Sequence, residues 1–154
     1  VLDKGGKPIL MSHLGRPKGF DAGLKMDFVA ERLQELLKQQ VTKLDACIGD
    51  DVRVAVNNMK EDRIILLENL RFYPEEEKNS KSFARELSNF ADVYVDDAFG
   101  AIHRSHASVD AIADFLPSCA GFLVEKELSV LGSFLFLLPA LLLQLWAVQR
   151  FLTK

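Results

Sequence analysis

Short apolar runs alternate along this chain with longer stretches of helical periodicity, and this alternation constrains its fold more than any other feature. The run Ile64–Leu67 is continuously apolar, as is typical of a parallel strand that is buried on both faces. Between residues 28 and 37 the apolar side chains recur at three- and four-residue spacing, which predicts a helix with one apolar face. The alternation therefore predicts an α/β fold with an open, mainly parallel sheet.

The strand-loop-helix pattern is repeated as far as Pro117. We predict strands at Ile9–Met11, Val41–Leu44, Ile64–Leu67 and Val93–Val95, the last of which should also be buried. Helices are expected at residues 28–37, from Asp50 as a cap, from the cap Ser80 to about residue 91, and at residues 109–116. Helices that connect parallel strands cover both faces of the sheet, so three layers are expected.

Charge and cysteine content exclude several classes of protein. The 154 residues carry 19 basic and 22 acidic side chains, and this net charge of −3 argues against a nucleic-acid partner. The 2 cysteines, Cys47 and Cys119, are far apart and form no CxxC pattern. They indicate free thiols in a reducing compartment, without a disulfide framework or a cysteine-based metal site.

The end of the chain differs in character from the rest. No charged residue occurs from Leu128 to Gln149, so residues 128–149 are long enough and apolar enough to be a candidate membrane span, although Pro139 interrupts them. The opening at Val1, without Met, leads us to expect a further segment upstream. We divide the chain into a domain at residues 1–131 and a hydrophobic tail at residues 132–154.

Positively charged loops follow three of the predicted strands. Ligands of open α/β sheets bind beyond the carboxyl ends of the strands, so these loops are the candidate site. Arginines bind phosphate or carboxylate oxygens through paired, charge-assisted hydrogen bonds, and glycines let the backbone approach a ligand. The histidines, arginines and two of the glycines on which this interpretation rests are His13, Gly15, Arg16, Gly19, Arg71, His103, Arg104 and His106.

Each of these residues also has an ordinary structural interpretation. One arginine at a strand end is usually an ion-pair partner at the surface, but repetition at three strand ends favours an anion site. Asp96 and Asp97 are expected to cap a helix or bond arginines rather than bind a metal, and we predict no metal site. Lys60–Arg63 and Glu75–Lys78 are interpreted as solvated turns. Neither a P-loop nor a G-x-G-x-x-G motif occurs, so a nucleotide would have to be bound elsewhere.

All three loops resemble loops of phosphoglycerate kinases. The resemblance lies in Met11–Gly19, in Leu66–Phe72, and in Asp97–Gly100 together with His103–His106. Residues 120–123 and 126–128 extend it, so that it covers about Lys7 to Leu131 and leaves a divergent tail. The resemblance implies a Rossmann-like three-layer sandwich that is incomplete at both ends, because the family's first strand, with its substrate loop, and its nucleotide domain are not matched here.

The resemblance also implies a function. Phosphoglycerate kinases transfer a phosphoryl group between ATP and 3-phosphoglycerate, in glycolysis or carbon fixation, with Mg²⁺ and ATP or ADP on the second domain. Residues 1–131 would then supply the basic 3-phosphoglycerate site, and this chain alone would be inactive. We expect a cytoplasmic or plastid monomer and assign no catalytic residue. The residues matched to the family's substrate contacts are His13, Leu14, Gly15, Arg16, Arg71 and Arg104.

Three interpretations remain open from the sequence. The chain can be a piece of an ordinary phosphoglycerate kinase whose tail is a product of aberrant coding. It can be a non-catalytic relative that keeps the anion site as a binding module. It can also be a membrane-tethered form that uses residues 128–149 as an anchor.

Overall fold

The computed structural model describes residues 1–61 and 63–132 as short strands and helices in alternation. In chain order these are β1 (Ile9–Leu10), α1 (Asp27–Leu37), β2 (Val41–Lys43), α2 (Asp50–Asn57), β3 (Ile64–Leu66), α3 (Pro74–Glu77), α4 (Lys81–Ser88), β4 (Tyr94–Asp96) and β5 (Ser118–Ala120). Single 3-10 turns lie at Leu2–Lys4, Ala22–Leu24, Leu70–Phe72 and Ala111–Asp114, and residues 122–132 are helical.

A parallel sheet with the strand order β1-β3-β2 is the centre of the fold. Ile65 pairs with Ile9 on one side and with Thr42 on the other, which makes β3 the central strand. All three residues of β3 are buried. The prediction that Ile64–Leu67 is a strand covered on both faces is therefore confirmed.

Helices pack on both faces of this sheet. Ile65 and Leu67 contribute to a core cluster that includes Val52 of α2 together with Phe83 and Leu87 of α4. The residue between them, Leu66, contributes to a second cluster with Met26 and Ala30 at the start of α1. Successive residues of a strand point to opposite faces, so the apolar run supplies both cores. The expected α/β fold of three layers is confirmed.

The fourth predicted strand does not join this sheet. β4 pairs instead with β5, which the sequence analysis missed, through bonds from Tyr94 N to the Pro117 carbonyl (2.9 Å) and from Gly121 N to the Asp96 carbonyl (2.7 Å). The prediction that Val93–Val95 is buried is wrong, because only Tyr94 is buried while Val93 and Val95 are 53% and 51% exposed.

Three predicted helices also differ in detail. α2 begins at Asp50 as expected, but Gly49 is its N-cap and Asp50 is the first helical residue. Residues 109–116 contain only the 3-10 turn Ala111–Asp114 rather than an α-helix. Ser80 does precede α4, yet its hydroxyl contacts the Ser82 hydroxyl at 2.9 Å instead of a backbone N–H.

The chain divides into two compact units. The first comprises Val1–Tyr94 and Arg104–Ser118, and the second comprises Val95–His103 and the chain from Cys119 onward. The candidate membrane span and the tail fall almost entirely outside the described residues, and the division at residue 131 stays a prediction. Within residues 1–61 and 63–132, no helix has the length and apolar character needed to cross a membrane.

Leu67 offers a test of the core. Leu67 is 1% exposed whereas Leu36 of α1 is 62% exposed, so the same truncation can be compared at both positions. We expect Leu67→Ala to lower the free energy of unfolding by about 2–5 kcal/mol, because it removes buried methyl groups and leaves a cavity. Leu36→Ala should change it by less than about 0.5 kcal/mol. Urea unfolding followed by circular dichroism measures both, and equal losses would contradict the proposed core.

Candidate anion-binding site

The buried side chain of Asn69 joins the loop after β1 to the loop after β3. Its Nδ2 donates to the carbonyls of Leu14 (2.8 Å) and Leu24 (2.9 Å). Its Oδ1 accepts from the backbone N–H of Leu14 (3.2 Å) and of Arg71 (3.1 Å). Asn69 is fully buried, so these bonds are shielded from water. They place residues 13–15 beside Arg71, although the two segments lie far apart in sequence.

Gly15 is required by this arrangement. Its φ of 65° is left-handed, and an added Cβ would lie 3.0 Å from both methyl carbons of Leu24. A side chain here would therefore be strained and crowded at once. The Gly15 carbonyl accepts a hydrogen bond from Nη1 of Arg71 at 2.6 Å, which turns the Arg71 guanidinium toward the loop.

Arg71 is buried with part of its hydrogen-bonding capacity unused. The residue is 7% exposed, and its Nε and Nη2 form no hydrogen bond. The Glu77 carboxylate lies 3.3 Å from Nε as an ion pair but outside hydrogen-bond geometry. Buried donors without acceptors are unfavourable by about 1–3 kcal/mol each, so an incoming oxyanion would relieve this cost.

The other predicted arginines have free guanidinium groups. Arg16 is exposed and Arg104 is half-buried, and neither forms a hydrogen bond or ion pair within the described part of the chain. Burial lowers the pKa of His13 below its ordinary value of 6.5, and the positive charges of Arg71, Arg104 and His106 lower it further. Arg71, Arg104 and His106 are therefore within electrostatic reach of His13.

Two carboxylates that position these loops were missed or misread in the sequence. Glu76 is 1% exposed and bonds Ser108, so the interpretation of Glu75–Lys78 as a solvated turn is wrong at this residue. Glu68, 2% exposed, was not singled out. Its Oε1 accepts from the N–H groups of Met26 and Asn69, both at 2.9 Å. An acidic residue directly after a buried strand was the available signal for Glu68.

Lys43 at the end of β2 pairs with Glu68. Its Nζ lies 2.6 Å from Glu68 Oε2 and 2.8 Å from Asp45 Oδ1. Burial by itself would lower the pKa of Lys43, but the hydrogen bonds to Asp45 and Glu68 outweigh burial and raise it above its ordinary value. The bonds from Lys43 and Lys25 lower the pKa of Asp45 to about 2. Lys43 thus neutralises the buried Glu68 carboxylate and does not add to the free positive charge of the site.

The second compact unit contains the remaining candidates. His103 is exposed and lies in this unit. Asp97 Oδ1 accepts from the N–H groups of Leu123 (2.7 Å) and Val124 (3.2 Å), and Asp96 Oδ1 accepts from Ala98 N (2.9 Å). The bonds of Asp97 agree with the capping interpretation, because Leu123 and Val124 lie in the first turn of the helix at residues 122–132, whereas no helix directly follows Asp96 in the described chain. Across residues 1–61 and 63–132, no three His, Cys, Asp or Glu side chains are grouped so that they could hold one metal ion.

Free guanidinium groups on the loops of an α/β domain are typical of domains that bind small anions. The family model for phosphoglycerate kinase matches residues 1–137, and the chain belongs to this family. The resemblance inferred from the three loops is thereby confirmed.

Curated relatives and solved structures agree with this assignment. The chain is 54% identical over 132 residues to a phosphoglycerate kinase of Dictyoglomus turgidum, covering 86% of this chain and 33% of the relative. It is 56% identical to one of Nostoc punctiforme, covering 85% and 33%. A structure of phosphoglycerate kinase from Pyrococcus horikoshii superposes with a TM-score of 0.75 at 32% identity, covering 83% of this chain and 33% of that one. The chain thus spans about a third of its relatives' length.

The pKa of His13 provides a test of the site. The folded chain holds this pKa below 6.5, so the contribution of His13 to stability is present above pH 6.5 and is lost as pH falls through the lowered value. Removing a nearby positive charge favours the imidazolium, so Arg104→Ala should raise the pKa of His13. Arg53→Ala is the control, because Arg53 pairs with Asp50 on α2. An NMR titration of the imidazole protons measures the effect, and an unchanged pKa in Arg104→Ala would place Arg104 outside the site.

Proposed function

We propose that the protein is a phosphoglycerate kinase, catalysing ATP + 3-phosphoglycerate = ADP + 1,3-bisphosphoglycerate, and that this chain supplies the basic 3-phosphoglycerate site. One observation carries the proposal: Arg16, Arg71 and Arg104 all have unused guanidinium donors within the described residues, and Arg71 holds two of them in a buried position. Family membership supports the identity of the anion.

The arrangement suits a substrate that carries a phosphate and a carboxylate. Each group is planar or tetrahedral with several accepting oxygens, and guanidinium forks bond such oxygens in pairs. Asn69 and the Gly15 carbonyl already hold the loop and Arg71 in place, so little ordering is needed on binding. Phosphoryl transfer depends mainly on positioning and on stabilising charge, and this chain's arginines would do both for the accepting substrate.

The nucleotide and Mg²⁺ do not fit the described residues. The sequence has no P-loop or G-x-G-x-x-G motif, and the described part of the chain forms no carboxylate-rich cluster for a cation. These residues are therefore assigned no role in binding ATP. The chain matches about a third of its relatives, so the nucleotide site of the proposed enzyme would lie in the part that these residues do not match.

The compartment, pathway and oligomeric state of the enzyme are part of the same proposal. We infer a cytoplasmic protein acting in glycolysis or carbon fixation, with a plastid as the alternative, and a monomer. The thiols support a reducing compartment, since Cys47 is free and buried and Cys119 is free and exposed.

Substitution of the arginines tests the substrate site. Arg71→Ala or Arg104→Ala should weaken 3-phosphoglycerate binding by about tenfold or more, because a charge-assisted hydrogen bond contributes roughly 1.5–3 kcal/mol. Lys60→Ala is the control, since Lys60 is exposed and lines a different cavity beside Gln40 and Thr42. Titration calorimetry at two salt concentrations gives the affinities and their salt dependence. Equal losses from all three substitutions would mean that diffuse charge, and not a built site, binds the ligand.

The catalytic competence of the 154 residues is a separate prediction. Catalysis requires two substrates held in line, so a polypeptide of these residues alone should bind 3-phosphoglycerate without transferring a phosphoryl group to it. A coupled assay on material freed of host enzymes measures turnover. ATP-dependent turnover that depends on Arg71 would show that these residues also bind the nucleotide.

A further inference from the structure

Glu76 is a buried carboxylate whose bonds all lead to one segment of chain. Its Oε2 accepts from Ser108 N at 3.0 Å and its Oε1 accepts from the Ser108 hydroxyl at 2.5 Å. His106 Nδ1 lies 3.8 Å from Oε1, and the Glu76 backbone carbonyl accepts from Ala107 N at 2.9 Å. One residue of α3 therefore contacts three consecutive residues, 106, 107 and 108.

Core packing alone does not explain why a glutamate occupies position 76. Burying a carboxylate is costly unless hydrogen bonds compensate it, and an apolar side chain in the same place would avoid that cost. The neighbouring Glu75 is exposed and forms no side-chain bond in the described structure, so acidity of the helix as such does not require a buried charge. What Glu76 supplies is a specific attachment of α3 to residues 106–108.

That attachment matters because the side chain of Arg104 has no partner among residues 1–61 and 63–132. Its guanidinium forms no bond to the described residues, so its position depends on the backbone that carries it. α3 holds this backbone at a second point as well, where Asn79, just beyond the helix, donates to the Ser105 hydroxyl (2.9 Å) and to Asp110 (2.7 Å). On the same short helix, Glu77 lies 3.3 Å from Nε of Arg71.

We propose that Glu76 is a positioning residue of the anion site, which acts by holding residues 106–108 against α3 so that Arg104 stays beside Arg71 and His13. The inference rests on the proposed binding of 3-phosphoglycerate. In this proposal α3 keeps Arg71 and Arg104 at a constant separation, although the two arginines lie on separate loops.

The test compares two isosteric changes on one helix. Glu76→Gln replaces an accepting oxygen by an NH₂ group that faces a donor of Ser108, whereas Glu75→Gln removes the same charge from an exposed neighbour. Glu76→Gln should weaken 3-phosphoglycerate binding by the 154-residue chain about tenfold, and Glu75→Gln by less than about twofold. Calorimetric titration gives the affinities, and thermal unfolding without ligand shows whether each variant is folded.

Coupling to Arg104 separates positioning from general destabilisation. If Glu76 acts through Arg104, adding Glu76→Gln to Arg104→Ala should weaken binding less than about twofold further. An equal tenfold loss in both backgrounds overturns the proposal, because Glu76 would then act on the fold as a whole. Unchanged affinity in Glu76→Gln overturns it too, while leaving the proposed function intact if Arg71→Ala and Arg104→Ala still weaken binding.

Ser108→Ala is the second variant and removes only the hydroxyl donor to Glu76. It should weaken 3-phosphoglycerate binding about threefold in the parent chain and leave the affinity of Arg104→Ala unchanged. If Glu76→Gln does not fold, Ser108→Ala decides the matter, and parent-like affinity overturns the proposal. Absence of 3-phosphoglycerate binding by the parent chain would overturn the proposed function and this inference together.

Discussion

The hydrogen bonds of Asn69 are the interaction on which the site depends. A buried amide has two donors and an accepting oxygen, and all of them are used here by backbone groups of Leu14, Leu24 and Arg71. The amide thus joins two loops through hydrogen bonds to their backbones, as ladder hydrogen bonds join two strands. Because Asn69 lies three residues beyond the end of β3, the buried central strand of the sheet sets the positions of the loop after β1 and of Arg71.

Positive charge is concentrated at this site although the chain as a whole is acidic, with a net charge of −3. The acidic side chains nearby are arranged so that they do not neutralise it. Glu68 is occupied by Lys43 and backbone N–H groups, and Glu76 by Ser108. Among the acidic residues that the structure describes, only Glu77 pairs with Arg71, at 3.3 Å and without a hydrogen bond. Buried carboxylates here act as structural acceptors, which leaves the guanidinium donors of Arg71 and Arg104 for a ligand.

The sequence predicted the features that depend on local pattern. Ile64–Leu67 could be recognised as a doubly buried strand because burial on both faces requires a continuous apolar run. Arg16 and Arg71 could be expected at one edge because the parallel strands β1 and β3 precede them, but this argument does not extend to Arg104, since β4 pairs outside that sheet. The exposure of Val93 and Val95 could not be predicted, since it depends on which strand β4 pairs with. Glu76 was misread because a run of glutamates looks the same whether one of them faces water or a distant serine. Asn69 lies in the motif Leu66–Phe72, but no local sequence pattern shows that its amide forms hydrogen bonds with residues 14 and 24.

The strand order β1-β3-β2 has a consequence for how the chain is made. β1 and β2 flank the central strand and pair with it, not with each other, although both are synthesised before it. The backbone hydrogen bonds that join them to β3 cannot form until Ile64–Leu66 has been synthesised. For more than fifty residues of synthesis, the bond between Ile65 N and the Pro8 carbonyl cannot form. The growing chain must therefore hold β1 and β2 without their contacts to β3, and the arrival of β3 joins them and brings Asn69 to the loop after β1 almost at once.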